Sequence, residues 1–160
     1  MPEASPARVV ADADVLAADL LCGDESGNAA RAALDHVRRH SWMELVASDP
    51  LLEDARTVVE SLADATLAAD WRERIGRERA AVEHPPGDHP ALASAYRGGA
   101  AHLLTYDEGL RSAKTGASLQ SHMSLSVRPP DAFARLFDPE ALYEAVEGGT
   151  YPGPDRDPRV

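Results

Sequence analysis

The sequence is short of cysteine and of long apolar runs, and each shortage excludes a class of protein. Cys22 is the single cysteine in 160 residues, which excludes an intramolecular disulfide framework and a CxxC metal knuckle. A reducing, intracellular compartment is therefore expected. No apolar run approaches the ~20 residues that a membrane span needs, and residues 1–6 lack the basic and apolar regions of a signal peptide. We expect a cytoplasmic protein that does not contact a membrane.

Lysine is also nearly absent, although the chain carries 16 basic residues. Lys114 is the only lysine, and 27 acidic residues give a formal net charge of −11. Such a surface is typical of proteins that work in concentrated salt, where screening shortens the range of charge repulsion. We therefore expect a halophilic source. In that setting an acidic net charge does not exclude nucleic acid as a partner, because the charge reflects the solvent as much as the ligand.

Apolar runs typical of strands alternate with apolar stripes at helical spacing. The predicted strands are residues 7–11, 45–47, 80–83, 101–105 and 124–127. The predicted helices are a helix-like stretch that ends at residue 21, residues 25–40, 50–62, 67–79 and 130–137, and residues 88–97, which Gly98-Gly99 closes. A turn and a further helix are predicted to begin at residues 106–110. This alternation predicts a three-layer α/β/α fold with a central parallel sheet. We expect one domain over residues 1–147, followed by a flexible acidic tail rich in proline and glycine over residues 148–160.

Acidic side chains follow the strands or begin the helices that succeed them. Asp12 and Asp14 follow the first strand, Asp107 follows a later strand, and Asp54 and Asp88 lie near helix starts. Ligands of open parallel sheets bind outside the carboxyl ends of the strands. Carboxylates that converge there either take up protons or hold a cation, and an all-oxygen set suits Mg²⁺ or Mn²⁺. Such a metal can bridge phosphate oxygens and activate water, so the pattern favours phosphodiester hydrolysis.

Several of these residues also have simpler structural explanations. A single Asp after a strand is more often a helix cap than a ligand, and this holds for Asp12 and Asp88 taken one at a time. Tyr106 can stack on a base or pack against the protein. His89 and His102 lie near the expected site, but a lone histidine is usually a packed or surface residue, and we assign them no role.

A run of arginines between residues 72 and 79 has an ordinary explanation too. Glu73 with Arg77 and Arg74 with Glu78 are spaced i,i+4, which predicts ion pairs along a solvated helix face. An RNA-binding track is the less favoured alternative.

Five motifs match one known family. Residues 9–16, VVADADVL, form a strand that runs into an Asp-small-polar-Val-Leu segment, and residues 48–55, SDPLLEDA, place an acid a few positions after a serine. Residues 88–99, DHPALASAYRGG, open an alanine-rich helix with Asp88 and end it with glycine. Residues 103–110, LLTYDEGL, end a strand with Thr-x-Asp-x-x-Leu, and residues 130–133, PDAF, open a last helix. Over residues 7–137 the chain resembles the PIN-domain nucleases. It departs from the common pattern by Asp14, where Asn or Ser is frequent.

The resemblance implies a metal-dependent endoribonuclease that acts on single-stranded RNA. The resemblance further implies that Mg²⁺ or Mn²⁺ is bound by Asp12, Asp54, Asp88 and Asp107. It also implies that Thr105 orients water or a phosphate and that Asp14 supports the first loop. Many members carry Glu at the second acid, so Asp54 has a shorter reach, and Glu53 competes with it for the role. Many members are toxins of toxin–antitoxin pairs and many dimerise, which implies RNA, an antitoxin protein and a second copy as partners.

Two other functions stay open at the level of sequence. A PIN-like domain that has kept its fold without activity can serve as a binding or scaffold module, with its acids acting as caps. A receiver-like α/β domain also binds Mg²⁺ through acids, but it needs a lysine near the phosphoacceptor, and Lys114 is the only candidate. A phosphate-binding P-loop is excluded, since no GxxxxGK[ST] motif occurs.

Overall fold

The computed structural model describes residues 5–21, 28–83, 90–111 and 125–157, and a five-stranded sheet lies at its centre. The strands are β1 (Ser5–Ala11), β2 (Glu44–Ser48), β3 (Ala80–Val82), β4 (Ala100–Leu104) and β5 (Ser126–Arg128). Their order is β3-β2-β1-β4-β5, and every neighbouring pair is parallel. The predicted three-layer α/β/α class with a central parallel sheet is confirmed.

Eight helices connect and cover the strands in the described part of the chain. They are α1 (Ala13–Leu21), α2 (Ala29–Arg38), α3 (Asp49–Leu62), α4 (Ala65–Glu78), α5 (Pro90–Gly98), α6 (Glu108–Arg111), α7 (Pro130–Leu136) and α8 (Pro139–Val146). None of these helices has the length and apolar character needed to cross a membrane. Most predicted elements lie within a few residues of the observed ones, whereas the predicted helix starts at residues 25 and 88 lie outside the described residues. The last strand begins at Ser126 instead of residue 124, which lies outside the described residues.

The centre of the sheet is buried on both faces. β1 lies between β2 and β4, and its Val9 and Val10 side chains, which point to opposite faces, are both fully buried. A central strand of a parallel sheet is covered by helices on each side, so it reads as a continuous apolar run. Within residues 7–11, Val9, Val10 and Ala11 form such a run, which is why this segment predicts a strand.

Helix α5 approaches β2 at a glycine. A Cβ atom placed on Gly98 would lie 2.3 Å from Cγ1 of Val46, which is closer than carbon atoms pack. Gly99 follows with φ of 63°, the left-handed conformation that ends many helices and that glycine adopts without strain. The predicted helix end at Gly98-Gly99 is therefore confirmed, and its cause includes contact with the sheet.

The arginine run on α4 forms the predicted ion pairs. Arg74 contacts Glu78 at 3.1 Å and Arg77 contacts Glu73 at 3.5 Å. Beyond these pairs, Arg72 bridges to the start of α3, where its guanidinium contacts Asp49 at 3.0 Å. The run is thus an ion-paired face that also ties α4 to α3.

Part of the segment expected to be a tail contacts the turn between α2 and β2. The hydroxyl of Tyr151 lies 2.6 Å from Nε2 of His40, which is 2% exposed. The backbone N–H of Asp155 donates to the carbonyl of Arg39 at 2.9 Å, and the N–H of Ser41 donates to the Asp155 carboxylate at 2.8 Å. These contacts hold residues 151–155 against the body of the domain.

Candidate active site at the carboxyl edge of the sheet

The strand order reverses between β1 and β4, and two of the predicted site residues meet there. Asp12 follows β1 directly, Thr105 follows β4 directly, and the Asp12 N–H donates to the carbonyl of Leu104 at 2.8 Å. In open parallel sheets this point of reversal is where loops diverge and ligands bind. The fold therefore brings the loops after β1 and β4 together at a position suited to a ligand.

The buried hydroxyl of Thr105 joins the two loops. Its Oγ1 donates to Oδ2 of Asp12 at 2.8 Å and accepts the N–H of Asp107 at 3.0 Å. The other oxygen of Asp12 accepts the N–H of Ala13 at 2.8 Å, at the start of α1. Because Thr105 is fully buried, it fixes the position of both aspartates from below the surface.

The carboxylate of Asp14, close to Asp12 and Asp107, is only partly hydrogen-bonded. Its Oδ2 accepts the Tyr106 N–H at 3.3 Å, whereas its Oδ1 is buried and has no hydrogen-bond partner among the described residues. Burial raises the pKa of Asp14, and the negative charges of Asp12 and Asp107 raise it further. The charges of two neighbouring aspartates thus act on Asp14, to which the sequence analysis assigned only a supporting role.

Asp107 lies at the surface end of the group. Its Oδ1 accepts the N–H of Gly109 at 2.8 Å, as a residue does at the start of a helical turn, here α6. The side chain is exposed. The contact leaves its second oxygen available for a ligand at the edge of the sheet.

The structure separates the two acids that compete for the second position. Glu53 is ion-paired with Arg72 at 2.8 Å and with Arg56 at 3.1 Å, and these arginines lower the pKa of Glu53. Asp54 is exposed and makes no ion pair with a described residue. It lies one turn before Val58 on α3, and Val58 packs against a cluster that includes Ala17 of α1. Of the two competing acids, Asp54 is thus the one that no described ion pair occupies.

A buried pair of serines fixes the start of α3, and one of the two was not predicted from the sequence. Ser94 of α5 accepts the N–H of Ser48 at 3.0 Å and donates to its hydroxyl at 3.1 Å. The Ser48 hydroxyl in turn accepts the N–H of Leu51 and caps α3. Ser94 sits in an alanine-rich helix, where one serine carries no periodic pattern.

The four-carboxylate pocket stays a prediction. Asp88 lies outside the described residues. Within the described ranges, no three His, Cys, Asp or Glu side chains form a group that could hold a metal ion by themselves. The donors at the β1–β4 edge nevertheless have the chemistry of a hard cation's ligands, since they are carboxylate oxygens and include the unpartnered Oδ1 of Asp14.

Comparison with known proteins gives a family and no function. A family model described as a family of unknown function (DUF7384) matches residues 3–159, so the chain belongs to that family. Neither the curated proteins nor the solved structures contain a match to the chain.

Proposed function

We propose that this member of the DUF7384 family is a metal-dependent endoribonuclease that hydrolyses phosphodiester bonds of single-stranded RNA. Asp12, Asp54, Asp88 and Asp107 are the proposed ligands of Mg²⁺ or Mn²⁺, and Thr105 is the proposed positioning residue. The single observation that carries the proposal is the pair of hydrogen bonds of Thr105, to Asp12 and from Asp107, at the point where the strand order reverses.

The described contacts support distinct parts for these residues. Thr105 donates its one hydroxyl hydrogen to Asp12, and this hydrogen bond keeps the Asp12 carboxylate turned toward the loop that carries Asp107. Asp14 adds a further negative oxygen that no described residue neutralises. When bound, the metal would supply charge neutralisation for the phosphate and acidify the attacking water. Carboxylate oxygens fixed by hydrogen bonds suit a divalent cation, and the charge of the cation would offset the cost of burying an ionised Asp14.

RNA cleavage tests the proposal directly. Purified protein in concentrated potassium chloride is incubated with a labelled single-stranded RNA and either Mg²⁺ or Mn²⁺, and products are followed by gel electrophoresis. We expect cleavage by the wild type, its loss in Asp12→Asn and Asp107→Asn, and its retention in Asp131→Asn, a matched change at an exposed position of α7. Absence of cleavage by the wild type with both ions would count against the proposal.

A second candidate is a PIN-like domain that binds or scaffolds without catalysis. Two observations favour it: Asp12 and Asp107 each accept a backbone N–H, as capping residues do, and the described residues contain no three-ligand metal group. Calorimetric titration with Mn²⁺ discriminates between the candidates. A stoichiometric site that is lost in Asp107→Asn supports the nuclease, whereas absence of binding supports the scaffold.

The proposal also covers the binding partners of the protein and its cellular compartment. RNA is the proposed substrate, and an antitoxin protein and a second copy of the chain follow from the resemblance to PIN-domain nucleases. The cytoplasm is the proposed location, from the single cysteine and the reducing compartment it indicates. A small open reading frame beside the gene is the cheapest observation that would support an antitoxin.

A further inference from the structure

A groove between the sheet edge and the last two helices has the composition of a ligand site. It encloses about 330 Å³, within the range of about 300–1,000 Å³ that small-molecule sites occupy. Phe133, Phe137 and Leu142 of the α7–α8 segment supply apolar lining, and His102 of β4 and Arg128 of β5 supply polar lining. Apolar walls with few polar groups are typical of sites that bind small organic molecules.

His102 has a ring nitrogen that no described residue satisfies. Its Nδ1 is buried and has no hydrogen-bond partner in the described part of the chain. Buried polar atoms are nearly always partnered, so such an exception calls for an explanation. The imidazole meets the ring of Phe133 edge to face, with centroids 5.4 Å apart, which restricts its rotation. The ring is thus held in place with an unused nitrogen.

Arg128 supplies a positive charge to the same groove. Its side chain is half-buried and makes no ion pair with a described residue, in contrast to the paired arginines of α4. Burial and the charge of Arg128 lower the pKa of His102, so the imidazole is neutral at neutral pH and carries one N–H. Asp138, which also lines the groove, is exposed and accepts the Ala141 N–H at 3.1 Å as the cap of α8.

We propose that this groove binds a small organic carboxylate with a flat or branched apolar body. The carboxylate pairs with the guanidinium of Arg128 and accepts the imidazole N–H of His102, which is a charge-assisted arrangement. The apolar body covers the rings of Phe133 and Phe137. A strongly hydrated anion such as a sugar phosphate would leave those rings without contact, so the carboxylate with an apolar body is the better match.

Binding of 3-phenylpropanoate, compared with the uncharged 3-phenylpropanamide, tests the proposal. Both probes have the same apolar body, and chemical-shift titration of ¹⁵N-labelled protein reports affinity and location together. We expect the carboxylate to bind about tenfold or more tightly than the amide, with shifts at Arg128 and along α7 and α8. Arg128→Gln should remove that difference, and His102→Phe should weaken the carboxylate about fivefold.

Two further variants distinguish binding in the groove from effects of overall charge or of a changed fold. Arg135→Gln removes the same charge from an exposed position of α7 outside the groove and should leave both affinities unchanged. Ala141→Trp fills the groove and should block both probes, with circular dichroism showing that the fold is retained. The proposal is overturned by absence of saturable binding, by equal affinity for acid and amide, or by an Arg128→Gln variant that binds as the wild type does. These measurements involve no RNA, so they are independent of the proposed nuclease.

Discussion

The hydroxyl of Thr105 donates a 2.8 Å hydrogen bond to Asp12, a residue 93 positions earlier in the chain, and joins the loops after β4 and β1. Both partners are buried, and the same hydroxyl accepts the N–H of Asp107. One oxygen atom therefore sets the relative position of two of the proposed metal ligands. Its removal should affect stability and activity together.

We expect Thr105→Val, which preserves shape, to lower the free energy of unfolding by about 1–3 kcal/mol, because it leaves a buried carboxylate oxygen and an N–H without partners. RNA cleavage should fall about 10–100-fold, the range found when a group that orients a metal ligand is lost. Denaturant unfolding and the gel assay measure the two effects. Thr57→Val removes an exposed hydroxyl bonded to a backbone carbonyl and should change stability by less than about 0.5 kcal/mol.

Asp14→Asn should stabilise the protein in the presence of a chelator. The raised pKa of Asp14 means that its ionised form is less favourable in the folded state than in the unfolded one, where 3.8 is ordinary. That penalty is complete above the raised pKa and vanishes as the pH falls toward 3.8, so the difference between variant and wild type should be larger at pH 7 than at acid pH. Denaturant unfolding across this range measures it. A variant that is less stable than the wild type at pH 7 would contradict the raised pKa.

Gly98→Ala should destabilise the fold through a clash with the sheet. The new methyl group would meet Val46 at 2.3 Å, and relief of such overpacking costs about 1–3 kcal/mol. Gly76→Ala is the matched control, because its methyl group would meet only the movable end of the Arg72 side chain inside α4. There the gain in helix propensity should stabilise by about 0.5–1 kcal/mol. Thermal melts of both variants should shift in opposite directions.

Tyr151→Phe should weaken the attachment of residues 151–155. Nδ1 of His40 lies 2.6 Å from the His36 carbonyl, which can only accept, so Nδ1 carries a hydrogen and the Tyr151 hydroxyl is the hydrogen-bond partner of Nε2 at 2.6 Å. Loss of that hydroxyl leaves a buried nitrogen unpartnered, at a cost of about 1–3 kcal/mol. Tyr143→Phe, whose ring contacts Trp42 and Tyr151 without a hydrogen bond among the described residues, should be close to neutral. Equal stability of the two variants would show that the hydroxyl is dispensable.

Sequence patterns predicted the sheet because its strands are short apolar runs between helical stripes, and β1, buried on both faces, is the clearest example. Patterns also placed Asp12 and Asp107 after strands, since strand ends are visible in a single sequence. They did not predict the bond between Thr105 and Asp12, which depends on which strands are neighbours. Ser94 was missed for the same reason, because its partner Ser48 comes from a different element and no local spacing links them.

Both outer strands, β3 and β5, are only three residues long, and each is bounded by described residues that are not strand. Unpaired backbone at the rim of a sheet is the usual template for chains that stick to one another, and brevity is one way proteins limit it. The rims of this sheet offer little such template. Continuation of the sheet from one molecule into the next is therefore disfavoured.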